Sequence, residues 1–99
     1  MVIIGIISYP TEGAKEVVKR LMGQPPLPAY ITMKGPYVIP EVGVGIKSIS
    51  IYEFDKSKYS EAFEVITARY AKYLGVPGLT YSQNIWLEAK EAIKLTGMG

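Results

Sequence analysis

The chain has 99 residues, one domain's worth, and that is enough to bury a core without disulfides. It contains no cysteine and no histidine, which excludes thiolate nucleophiles, disulfides and zinc–thiolate centres and removes the commonest general base and neutral metal ligand. Eleven basic and nine acidic residues leave a net charge of +2, a weak field that gives no case for nucleic acid or an acidic membrane surface.

Met1 to Pro10 is apolar but far shorter than the ~20 apolar residues of a membrane span. It lacks a basic leader, and the cytoplasm is the default compartment. Val2 to Tyr9 is a β-branched run with apolar residues at both parities. Such a run suits a central strand covered on both faces. Gly5 in its middle allows a close approach by another group. Thr11 to Gly23 reads as a helix capped by Thr11, with Glu12 at the positive end of its dipole. Ala14, Val17, Val18, Leu21 and Met22 form its apolar stripe. Glu16 and Arg20 are spaced for a weak ion pair. Gly23 suits a left-handed cap, and Pro25 and Pro26 forbid continuation.

Ala29 to Lys34 alternates as a second strand. Gly35-Pro36 interrupts it, and Tyr37-Val38-Ile39 resumes it before Pro40, as expected of an edge or a bulge. After a turn over Pro40 to Gly43, the stretch Gly43 to Phe54 is a third strand, so the two form a hairpin. Side chains alternate along it. Ile49 and Ile51 are expected beneath helices, and Ser48, Ser50 and Tyr52 against a second subunit or a ligand. Ile46 and Phe54 share the parity of the second set, so a one-residue register change reverses the assignment. The Gly43-Val44-Gly45 stretch opens a strand rather than a helix, which makes it a turn rather than a phosphate loop.

Asp55 is expected to cap a helix over Lys56 to Leu74, with Tyr59, Ala62, Phe63, Ile66, Tyr70 and Leu74 inside and Gly75 as its stop. The hydroxyls of Tyr59 and Tyr70 are expected at the rim. Leu79 to Leu87 alternates as a fourth strand, followed by a short helix over Glu88 to Leu95. Residues 84–95 also fit one longer helix capped by Asn84.

The order β-α-β-β-α-β is the split βαβ, ferredoxin-like pattern. With right-handed crossovers, strands one and three are central and both helices cover one face of an antiparallel sheet. The other face is left apolar, on a chain that is 48% hydrophobic and only 20% charged, against a typical ~25% charged. In this order, in its length, in Val76-Pro77-Gly78 before the last strand and in the short terminal helix, the chain resembles the dimeric α/β-barrel superfamily. That resemblance implies a homodimer packed sheet against sheet. It also brings haem-degrading enzymes, monooxygenases and isomerases into view as relatives. The haem-degrading members use a His ligand, which is missing here, so Asn84 and Trp86 read as a cap and a core or interface aromatic.

Eight tyrosines stand out. Tyr30, Tyr52 and Tyr81, with Thr32, Lys34, Ser48 and Ser50, are the candidate ligand-binding set. Tyr and Lys polarise an oxygen or move a proton when desolvation shifts them. The plainer reading is a polar-tipped interface, where tyrosine is enriched. Lys47 and Glu53 lie roughly 20 Å apart along the strand and cannot touch. No acidic spacing makes a metal site, and no cofactor is expected. Three functions remain in view: a homodimer that binds a small, largely apolar molecule; a cofactor-free monooxygenase- or isomerase-like enzyme; and a structural or interaction module.

Overall fold

A computed structural model describes residues 1–97. Strand β1 (Val2–Tyr9) leads through a 3₁₀ turn over Thr11–Gly13 into α1 (Ala14–Met22). The hairpin strands β2 (Thr32–Glu41) and β3 (Gly45–Glu53) follow. A second 3₁₀ turn, Lys56–Lys58, opens α2 (Tyr59–Ala71). Strand β4 (Thr80–Trp86) and helix α3 (Ala89–Leu95) complete the chain. The architecture of the described residues is α+β: one four-stranded antiparallel sheet, ordered β2-β3-β1-β4, with three α-helices. No helix among the described residues is long and apolar enough to cross a membrane.

Several local expectations are corrected. Thr11 caps nothing; its hydroxyl bonds the Glu12 carboxylate, and the Pro10 carbonyl accepts the Gly13 N–H instead. Pro10 takes the cap position, with φ −63° held by its ring and no side-chain acceptor to offer. Gly23 has φ −87°, so no left-handed residue closes α1. Asp55 does cap, accepting from the Ser57 N–H at 2.9 Å, but its turn is 3₁₀ and α2 begins only at Tyr59. Beyond Ala71, helical bonding tightens into turns that end at Gly75, with φ +92°. The second strand starts three residues later than expected, at Thr32, and runs through Gly35-Pro36 to Glu41 with a bulge between Lys34 and Tyr37. Residues 84–95 split into strand and helix. The helix is secured by a capping box between Glu88 and Glu91, and Glu91 also takes the terminal amine of Met1.

The register decides which side chains go where. Ile3, Ile7 and Tyr9 of β1 lie opposite Tyr52, Ser48 and Ile46 of β3, and this set faces α1 and α2. The core joins it to Val17, Ala62, Ile66 and Tyr70. The alternative parity for β3 is therefore the one adopted: Ser48, Ser50 and Tyr52 lie beneath the helices, and Ile49 and Ile51 point away from them. Strand β1 is covered on one face only. Val2, Ile4 and Ile6 share the open face with Ile49 and Ile51 and are half-buried, because both core helices pack on the other side. Tyr37, Ile39 and Trp86 stand exposed on the same open face.

Two contacts join the ends of α1 and α2. Arg20 bonds Glu16 at 2.9 Å and reaches the Lys72 and Leu74 carbonyls. Gln24 donates to the Arg69 carbonyl at 2.8 Å, while Arg69 donates back to the Pro25 carbonyl at 3.0 Å. The proline-rich loop is thereby held against α2. Val18 and Met22, placed inside by the stripe, are exposed, because only Val17 and its neighbours Ala14 and Leu21 reach the sheet.

Candidate functional site

Gly5 sits mid-strand on the covered face, opposite Ser50 on one side and Gln83 on the other. Its missing side chain makes room for Tyr70, whose hydroxyl occupies the place a Cβ would take. There the Tyr70 hydroxyl meets that of Tyr52 at 3.1 Å, with Ser50 close by. The two rings cross edge to face, 6.3 Å apart at 85°. Tyr81 stacks on the other side of Tyr70, 5.5 Å away and nearly parallel. Tyr70 is thus held by three neighbours, with its hydroxyl deep in the core rather than at the rim.

Beside this cluster a cleft of about 60 Å³ opens between helices and sheet. The sheet contributes Ile7, Tyr9, Met33, Val38, Ser48, Ser50 and Tyr52. The helices contribute Val17, Leu21, Arg69 and Tyr70, the turn after α2 contributes Tyr73, and Gln24 and Pro36 complete the wall. The lining is apolar side chain for most of its surface, studded with hydroxyls and carrying one cation.

Burial keeps three of the cleft's phenols, Tyr9, Tyr70 and Tyr73, neutral. Burial pushes the Tyr70 phenol far above its ordinary range, and the neighbouring Tyr52 adds to the shift. Burial likewise raises Tyr73 and Tyr9. A general base needs a pKa moved toward neutrality; these move the other way. They keep the protons a hydrogen-bond donor needs. The consequence for stability has a definite sign. Up to about pH 10 both folded and unfolded tyrosines hold their protons. Above it the unfolded state releases them first, so stability falls, by about 1.4 kcal/mol per pH unit for a group still protonated in the native state. The urea midpoint is expected to be level between pH 7 and 9 and to drop above pH 10. Tyr70→Phe should make that drop shallower. A midpoint unchanged up to pH 11 would contradict the coupling.

The sequence-predicted set is divided by the sheet. Ser48, Ser50 and Tyr52 line the cleft. Tyr81 is on the same face but touches the cleft only through Tyr70. Tyr30 precedes β2, packs against the core edge and carries Lys58 over its ring at 5.6 Å. Thr32 and Lys34 are on the opposite, open face, where Lys34 pairs with Glu53 at 3.2 Å. Lys47 pairs with Glu41 instead of Glu53. The cleft's Tyr9, Gln24, Arg69, Tyr70 and Tyr73 were not in the predicted set. The signal for two of them was present: Tyr70 and Tyr73 are three apart and so share a helix face, and Gly5 marks where a large side chain enters.

No family model and no curated protein matches the chain. Among solved structures it is similar to the de novo designed protein Foldit4, with a TM-score of 0.46 and 10% identity over 87% of this chain and 96% of that one.

Proposed function

We propose that the chain is a ferredoxin-like protomer that pairs sheet to sheet as a homodimeric α/β barrel and binds a small, largely apolar molecule. The cleft beneath α1 and α2 carries this reading. It is concave and mainly apolar with a few convergent polar groups, the lining of a small-molecule site; at about 60 Å³ it is well below the ~300–1,000 Å³ of a drug-sized pocket, so the molecule it suits has only a few heavy atoms. The enzyme reading is the weaker one, because burial holds Tyr9, Tyr70 and Tyr73 in their neutral form, away from the range of a general base.

The antiparallel sheet with β1 and β3 inside and α1 and α2 on one face supports the ferredoxin-like assignment. Dimerisation draws support from surface area. The protomer exposes 6459 Å², against about 5,600 Å² for a monomer of this mass. The excess is close to the ~800 Å² that each partner buries in a standard interface. Its radius of gyration, 15.1 Å, likewise exceeds the ~13 Å of a compact domain of this length. The open face also has an interface's anatomy: isoleucines at the centre and the Lys34–Glu53 and Lys47–Glu41 pairs toward the ends.

Native mass spectrometry of protein taken from its own host reads both halves of the proposal at once. The expected result is a dimer mass with a retained small molecule. Ser48→Leu, which fills the cleft from β3, should abolish the retained mass and leave the dimer. Wild-type protein that carries nothing, in a form that Ser48→Leu does not alter, would remove the binding reading.

A further inference from the structure

We infer that the cleft takes a short-chain aliphatic monocarboxylate, its charge met by Arg69 and its carbon body by the apolar wall; this rests on the cleft being a binding site. Two guanidinium groups lie near the junction of α1 and α2, and they differ. Arg20 is neutralised by Glu16 at 2.9 Å and spends its other donors on carbonyls. Arg69 pairs with no carboxylate among the described residues. Its recorded side-chain bond is to the Pro25 carbonyl at 3.0 Å, one of the five N–H donors a guanidinium offers. No acidic side chain among the described residues lines the cleft, so an anion entering it meets one cation and no like charge.

The hydroxyls point the same way. Ser48, Tyr9 and Tyr73 border the space, and burial keeps both phenols protonated, hence able to donate. Hydrogen bonds from neutral donors to a carboxylate are charge-assisted and roughly twice as strong as neutral pairs. A single cation in a largely apolar wall matches one negative charge rather than two. Size narrows the body. An apolar cavity of about 150 Å³ accommodates benzene, with its six heavy atoms; this one offers about 60 Å³, so an acid of two or three carbons fits where a ring does not.

Acetate and acetamide have nearly the same shape and differ in charge. Titrated at pH 7 against ¹⁵N-labelled wild-type protein, acetate is expected to shift the amides of residues 48–52 and 69–73 and to bind at least tenfold more tightly than acetamide. Arg69→Gln should erase that difference. Arg69→Lys keeps the charge and should retain a preference for the acid, which covers the case where Arg69→Gln disturbs the Pro25 loop. Equal binding of acid and amide by wild type, or by Arg69→Lys, overturns the carboxylate assignment while leaving a binding cleft in place. If neither compound shifts the cleft amides, the cleft reading falls with it.

Discussion

Gly5→Ala is expected to destabilise the fold by about 3 kcal/mol or more, the upper part of the range for overpacking a close-packed core. The added Cβ enters the space of the Tyr70 hydroxyl and its ring carbon Cζ, and comes within 2.8 Å of Cε2. Relief by backbone movement is resisted because β1 is bonded on both sides, to β3 and β4. Relief by ring movement is resisted by Tyr52, Tyr73 and Tyr81 around Tyr70. Replacing a mid-strand glycine normally gains roughly 0.5–1 kcal/mol through chain entropy, too little to offset the clash. At about 4–8 °C per kcal/mol for a domain this small, Tm should fall by about 12–24 °C. Adding Tyr70→Phe should not rescue it, since the ring carbons remain. Tyr70→Leu removes the ring, and the pair Gly5→Ala with Tyr70→Leu should cost at least 1 kcal/mol less than the sum of the singles, the coupling expected of residues in contact. A Gly5→Ala protein melting within a few degrees of wild type would show that Tyr70 does not sit on Gly5.

The same glycine marks the limit of what the residues alone disclose. Helices, strands and their order follow from apolar spacing, from Gly75 and from the proline stops. The face assignment does not, because it rests on contrast between a wet and a dry side. In β3 both sides carry apolar groups: Ile49 and Ile51 on one, Ile46 and Tyr52 on the other. Counting isoleucines selects the wrong side. What decides it is pairing across the sheet. Ser50 lies opposite Gly5, and the two small residues together make the hollow that Tyr70 fills. Small polar residues in a covered strand are the trace of a large side chain arriving from a helix, and that correspondence is three-dimensional. Thr32 and Lys34 belong to the candidate set only while the register of the hairpin is open, since spacing along one strand does not fix its pairing with the next. Their partners, Glu53 and Ile51, put them on the open face. Arg69 was legible only as a helix-surface cation. Its approach to the cleft depends on the proline-rich loop folding back to α2, which no local spacing encodes.

Ile4→Lys is expected to turn the proposed homodimer into a folded monomer. Ile4 is in a central strand, opposite Ile51 on one side and Asn84 on the other, and its side chain is on the open face. It is half-buried by neighbours within its own protomer but absent from the core beneath the helices, so the substitution spares that core. In a two-fold pairing of sheets the change enters twice. Each copy loses the burial of only that part of Ile4 which its own protomer leaves exposed, about 1 kcal/mol or less, and gains an ammonium whose desolvation costs several kcal/mol. Even a combined cost of about 2 kcal/mol per copy, entered twice, raises the dissociation constant about a thousandfold, at 1.4 kcal/mol per factor of ten. Lys47→Ala, toward the end of the same face, removes only an exposed pair with Glu41 and should change the constant by less than a factor of ten. Sedimentation equilibrium of the three proteins, with circular dichroism to show that Ile4→Lys keeps its strands and helices, separates the outcomes. A wild-type chain that sediments as a monomer at micromolar concentration, or an Ile4→Lys chain that stays dimeric, would place the interface elsewhere and leave the isoleucines of the open face without a partner.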